Sequence, residues 1–238
     1  MSTSIEFIKF SSHLDMSQAA ANYIVNQVRG KKRFTLCPAA GKTPRLAYQK
    51  LVQRKMAPAN PFKQTQIIML DEWVGLPREH PASCRSQIME DLIVPLGLKN
   101  NFLFNAEQNP EHEINRLNQT RGAMNPIDLC ILGLGVNGHI GLNEPAEKLQ
   151  PFCHKAVLSK ESSSHQMLKD LDEPPIYGLT LGMQDILQSV NILLLVSGPT
   201  KKKAFKTLRK QRIGTWFPAS FLWLHPAVSC FYTRDVLS

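Results

Sequence analysis

Two short runs, DLCILGL (128–134) and NILLLVS (191–197), carry apolar side chains at successive positions with no polar alternation. A strand with one solvated face alternates, whereas a strand with no solvated face must be covered on both sides. Such strands belong to a mainly parallel sheet held between two layers of helices. Residues 5–10, 34–37, 66–70 and 228–233 read as further short strands, and amphipathic stretches at 17–29, 43–54, 83–96 and 111–124 read as helices. In the first helix Ala20, Tyr23, Ile24 and Val28 fall on one face at helical spacing. The expected fold is α/β, doubly wound and Rossmann-like: a mainly parallel sheet with helices on both faces, in one domain over 1–238.

Several classes of protein are excluded at once. The longest purely aliphatic run, 192–196, is five residues, far below the roughly 20 that a membrane span needs. The segment MSTSIEFIKFSSHLD has neither a basic n-region nor an apolar h-region, so no secretory signal is expected. The five cysteines, at 37, 84, 130, 153 and 230, are odd in number and never spaced C-x-x-C. That pattern fits neither a disulfide framework nor a zinc knuckle, and it suits a reducing, cytoplasmic setting. A formal net charge of +9 favours an anionic partner, polymer or small phosphate. Much of it lies in KKKAFKTLRKQR (201–212), where Phe205 and Leu208 share one side of a helix. The run reads as a solvated basic face over an apolar stripe, without the interleaved aromatics of a nucleic-acid surface. Neither nucleic acid nor membrane is an expected partner.

Ligands on open α/β sheets bind at the carboxyl ends of strands, so the residues following each strand are the candidates. After the strand at 34–37 comes PAAGKTPR (38–45). Gly41 turns the chain, and Thr43 can cap a helix with Pro44 at its first position. A glycine turn feeding a helix start offers free N–H groups to an anion, and Lys42 adds a full charge. The same residues also make an ordinary strand–helix turn, and a Walker loop is ruled out because Leu36 stands where its first glycine belongs. After the strand at 66–70 stand Asp71 and Glu72. Neighbours on an extended chain point to opposite sides, so one carboxylate faces the cleft while the other supports a loop. A carboxylate held half-buried at a strand end is suited to act as a base.

The third strand end, GLGVNGHIGLNEP (133–145), contains Gly133-x-Gly135-x-x-Gly138, the spacing of a dinucleotide loop. A glycine and a proline follow within seven residues of Gly138, so no helix starts there to receive a pyrophosphate. No acidic strand end follows about twenty residues on, where a ribose would need one. What remains is a turn carrying Asn137, His139 and Glu144: an amide, an imidazole that can move protons near neutral pH, and a carboxylate to orient it.

LDEWVGLP, GLGVNGHIGLNEP, AGKTP, YGLTLGMQDIL (177–187) and PASFLWLH (218–225) are colinear over residues 34–232. Together they resemble the glucosamine-6-phosphate deaminase family, and within it the branch of galactosamine-6-phosphate isomerases (deaminating). The resemblance implies ring opening of an amino-sugar 6-phosphate, a proton shift between C2 and C1, and release of ammonia. It implies Asp71 as the base, His139 as the ring-opening residue with Glu144 as its carboxylate partner, and Asn137 beside them. It implies Gly41, Lys42, Thr43, Glu72 and Lys201 at the substrate, with Lys201 on its phosphate. No metal and no organic cofactor is implied. Family members occur as monomers and larger assemblies, so a homo-oligomer is compatible with it. The related 6-phosphogluconolactonases share the fold and a G-H element, but usually carry D-E-R where this chain has Asp71-Glu-Trp73.

Three departures from the family pattern stand out. Asn137 replaces an aspartate of the glucosamine enzymes, as it does in the galactosamine branch. No arginine lies in 155–169 to hold the phosphate, which leaves Lys160, His165 or Lys169 as substitutes. Ala40 and Lys42 replace the usual residues of the T-G-[GS]-T-P turn, and Lys42 is a further candidate to compensate for the arginine.

Overall fold

The protein is described from a computed structural model that covers residues 5–53, 60–121 and 126–238. The expected ends of two helices, Arg54 and 122–124, lie outside the described residues. Among the described residues ten strands follow in chain order: β1 (Ile5–Phe10), β2 (Phe34–Cys37), β3 (Thr65–Ile68), β4 (Asp71–Trp73), β5 (Asn100–Phe102), β6 (Leu129–Gly133), β7 (His154–Val157), β8 (Tyr177–Thr180), β9 (Asn191–Val196) and β10 (Val228–Thr233). Seven form one sheet in the order β1-β10-β9-β6-β2-β3-β5. Every neighbouring pair in it is parallel.

The central strands show why their sequence does not alternate. Leu129, Ile131, Leu193 and Leu195 point into one core layer, while Cys130, Leu132, Ile192, Leu194 and Val196 point into the other. The first layer is closed by α1 (His13–Val28), α2 (Lys42–Gln53) and a helical stretch made of α3 (Cys84–Ile88), a π-turn (Met89–Ile93) and α4 (Val94–Leu96). The widened turn precedes Pro95, which has no N–H to continue a regular ladder. The other layer is closed by Leu117 of α5 (Pro110–Arg121) and by Met183 and Ile186 of α7 (Met183–Leu187), while the short α6 (Lys160–Ser163) buries Ser162 alone. Ala204, Phe205 and Leu208 of α8 (Lys202–Leu208) complete the layer. This is the doubly wound arrangement, and the basic run 201–212 does place Phe205 and Leu208 inward. All five cysteines are buried and none is in a disulfide, and no helix among the described residues is long and apolar enough to cross a membrane.

Local details differ from the sequence-based expectation at helix starts. The first helix begins at His13, not 17, because Ser12 caps it by accepting the Asp15 N–H at 3.1 Å. The second begins at Lys42, so Thr43 and Pro44 lie inside its first turn and Thr43 is not its cap. Gly41 makes the turn instead, with φ +105°, a conformation that side-chain-bearing residues avoid. A second sheet, β4-β8-β7, is antiparallel and is not foreshadowed by the sequence pattern, since its strands are three or four residues long. It takes the chain from the end of β3 through Met69 and Leu70 into Asp71, which pairs with Thr180 of β8.

Candidate active site

A cleft of about 850 Å³ opens at the carboxyl ends of β2, β3, β6 and β9. It sits where the strand order reverses, since β2 continues to β3 on one side and β6 to β9 on the other. Gly41, Lys42, Thr43, Asp71, His139 and Lys201 all line it. A smaller cavity of about 480 Å³, lined by Arg78, Arg85 and Arg116, contains none of these residues. Two of its arginines are already paired, Arg78 with Glu107 and Arg116 with Glu113.

Strand β4 separates the adjacent carboxylates as the alternation of an extended chain requires. Asp71 faces the cleft. Burial and the neighbouring Glu72 push its carboxyl up to about 7, against the pull of a hydrogen bond from the Cys84 thiol. That value suits a base working near neutral pH. Glu72 is only 2% exposed and turns away. One oxygen accepts the N–H groups of Trp73 (2.8 Å) and Cys84 (2.9 Å); the other accepts Ser83 Oγ–H (2.6 Å) and the Arg85 N–H (2.8 Å). Burial raises its carboxyl above the ordinary value, and these donors offset part of that rise. Glu72 thus anchors the start of α3, and the expectation that it binds substrate is corrected: all its acceptor positions are occupied within the wall.

The turn after β6 organises the imidazole. Asn137 Oδ1 accepts the His139 N–H at 3.1 Å, while its Nδ2 donates to Glu144 Oε2 (2.8 Å) and Ser159 Oγ (3.1 Å). His139 Nδ1 lies 3.1 Å from Ser162 Oγ and 3.6 Å from Glu144 Oε2. With Nδ1 so occupied, Nε2 is the nitrogen left for the cleft. Burial opposes ionisation of Glu144, yet the hydrogen bond and charge attraction of His139, followed by hydrogen bonds with Ser162 and Asn137, prevail and hold its carboxyl down at about 2. It is therefore a permanent anion behind the ring.

The glycine spacing has its explanation here. The His139 ring lies flat on Gly135, where a methyl group would stand 2.5 Å from Nε2. Gly138, at φ +92°, backs onto the Phe217 ring, which a side chain there would strike. These glycines make room for an imidazole and an aromatic ring, and no helix follows them to hold a pyrophosphate. Gly135→Ala should therefore fold but lose about a hundredfold in kcat through a ring displaced by about 1 Å. Steady-state assay together with the thermal midpoint checks this: unchanged kcat would show that the ring's position is not critical.

At the other side of the cleft the Gly41 peptide is gripped by Gln87, whose Oε1 accepts the Gly41 N–H (3.0 Å) and whose Nε2 donates to the Gly41 carbonyl (3.0 Å). The Gly41 N–H is thus spent, a correction to its expected use as an anion donor. The first-turn amides of α2 remain, as no helical carbonyl precedes them. His13 Nε2 meets the Thr43 carbonyl at 2.9 Å and braces the same turn. Lys201 reaches the cleft from the turn before α8, and burial draws its ammonium below the usual lysine value. Of the three substitutes for an arginine only His165 lines the cleft; Lys160 is exposed, and Lys169 is exposed beside Asp170 (3.6 Å). His13, Cys84 and Gln87 carry no signal in the sequence, because each matters through a contact 12 or more residues away.

The pattern that defines the glucosamine-6-phosphate isomerase/6-phosphogluconolactonase family matches residues 11–229. An Escherichia coli (strain K12) protein with the provisional name deaminase AgaI is 39% identical over 217 residues, covering 90% of this chain and 86% of its own. The glucosamine-6-phosphate deaminase of Lysinibacillus sphaericus (strain C3-41) is 33% identical over 233 residues, covering 96% and 98%. The solved structure of a monomeric glucosamine-6-phosphate deaminase superposes with a TM-score of 0.93 at 29% identity, covering 98% of this chain and all of the other. A 6-phosphogluconolactonase from Trypanosoma brucei shares the fold, with a TM-score of 0.76 at 16% identity over 98% of this chain and 97% of its own. The chain belongs to the glucosamine-6-phosphate isomerase/6-phosphogluconolactonase family.

Proposed function

We propose that this family member is an amino-sugar-phosphate isomerase and deaminase that converts galactosamine 6-phosphate to tagatose 6-phosphate and ammonia. The observation that carries the reaction class is the convergence of Asp71, His139 and Lys201 on one cleft. A base and a proton-moving imidazole meet there with a cationic corner.

The chemistry is built from those groups. His139 takes the proton of the anomeric hydroxyl, the ring oxygen gains one, and the C1–O5 bond breaks to leave an open-chain aldehyde. Glu144, ionised at every working pH, stabilises the imidazolium formed on the way. Asp71 removes the C2 proton as a carboxylate; the electron pair moves toward C1, whose oxygen takes up a proton. Asp71 then returns its proton to C1, leaving a protonated imine at C2. One water adds to C2 and gives up the extra proton, the C–N bond breaks, and one ammonia leaves with the ketose 6-phosphate.

Asn137 supports the galacto epimer, since it stands where the glucosamine enzymes carry a carboxylate and the galactosamine branch does not. The relative named deaminase AgaI, more similar to the chain than the L. sphaericus glucosamine enzyme, supports release of ammonia. Ammonia release from galactosamine 6-phosphate and glucosamine 6-phosphate tests this directly. Faster release from the galacto epimer is expected; faster release from the gluco epimer keeps the reaction and overturns the substrate. No ammonia from either overturns the reaction and directs attention to 6-phosphogluconolactone.

A further inference from the structure

His165 is placed unlike the other histidines of the cleft. Its Nδ1 accepts the Met167 N–H at 3.3 Å and so caps a short 3-10 turn. In the neutral ring that contact puts the proton on Nε2, leaving a donor free. The ring stacks obliquely on Trp73, centroids 5.9 Å apart, and its Cε1 comes within 3.9 Å of where a side chain on Gly41 would begin. Trp73 is 4% exposed, lines the same cleft, and its Nε1–H is buried with no hydrogen-bond partner. Buried donors usually find a partner, and an indole N–H without one on a side chain that lines the cleft is available to an acceptor that arrives with a ligand.

Two lysines reach this cleft, Lys201 from the turn before α8 and Lys42 from the start of α2; His139 enters from the turn after β6, and Asp71 and Glu161 are the carboxylates that also line the cleft. Among the described residues none lies within ion-pair distance of the His165 ring. Burial first, then Lys201 and His139, push the imidazole down to about 4, so it is neutral at pH 7.

We propose that His165 is the ligand that faces Lys201 across the substrate's phosphate, and that a phosphate monoester enters the cleft together with one proton, which this imidazole takes up. A dianion set between Lys201 and the ring reverses the field at the ring: the charge that disfavoured protonation is neutralised, and a hydrogen-bonded partner now favours it. Trp73 Nε1–H donates to the same group. An arginine would arrive charged; a histidine here makes affinity rise as pH falls from alkaline values toward neutrality.

The proposal rests on the sugar-phosphate reading of the cleft, and its test uses a ligand that cannot react. Glucitol 6-phosphate, which has no amine and no carbonyl, is titrated into the full chain by calorimetry at pH 7 in two buffers of different ionisation enthalpy. Wild type is expected to take up between about half a proton and one proton per ligand bound. His165→Arg should bind with comparable affinity and little proton uptake, and His165→Asn should bind about tenfold or more weakly. Trp73→Phe should weaken binding while keeping the uptake. Uptake that persists in His165→Arg, unchanged affinity in His165→Asn, or no binding by wild type overturns the proposal. Proton-coupled binding without ammonia from either amino sugar would sink the reaction and leave this assignment standing. Ammonia release with uptake indifferent to His165 does the reverse.

Discussion

Asp71→Asn should lower kcat by about a thousandfold or more while leaving glucitol 6-phosphate affinity within a few-fold of wild type. The substitution keeps the side chain's volume and its place on β4, so it removes the proton acceptor and little else. A kcat within tenfold of wild type would remove Asp71 from the role of base. The same variant should be more stable, and the sign comes from linkage. The Asp71 carboxyl stands at about 7 in the fold, against about 3.9 in an unfolded chain. Between those values the folded state binds the extra proton, so stability falls as pH rises through the window, and the penalty is complete above pH 7. Asp71→Asn escapes it. At pH 8 the variant should gain on the order of 2 kcal/mol, less than the full shift implies because cleft water screens the carboxylate. Below pH 4 the difference should vanish, and urea unfolding at both values reads it directly. The same titration gives wild-type kcat/KM an acid limb near pH 7 that the variant lacks.

His139→Gln should slow the cyclic substrate by about a hundredfold or more and an open-chain analogue unable to cyclise by only a few-fold. Nδ1 is held by Ser162 and Glu144, which leaves Nε2 to exchange a proton with the sugar ring. Glutamine retains a hydrogen-bonding group but cannot accept and return a proton. Equal losses on both substrates would mean that the imidazole holds the turn together, with its chemistry incidental.

Much of this site is legible in the amino-acid sequence, for a physical reason. Central parallel strands must be apolar on both faces, so β6 and β9 declare themselves, and ligands bind at the residues that leave their carboxyl ends. Alternation along an extended chain likewise separates Asp71 from Glu72. It does not say which one turns inward, because that depends on Ser83–Arg85 arriving with their donors. The Gly41 N–H looks free in sequence, since the amide that claims it lies 46 residues on. The second sheet is hidden because strands of three or four residues carry no periodicity. His165 and Lys42 are two of four candidates in sequence, and only the shape of the cleft separates them from Lys160 and Lys169.

The four-fold grip on Glu72 also bears on how loss-of-function data from this chain would be interpreted. Glutamine looks conservative there, but its NH2 would face N–H donors where an oxygen now accepts them, leaving groups of the wall in conflict. A screen scored on activity alone would rank position 72 with position 71, and two neighbouring carboxylates would pass for a catalytic pair. Their defects belong to different kinds: one chain would fold and stand idle, while the other would fall silent because the scaffold behind its base had come loose.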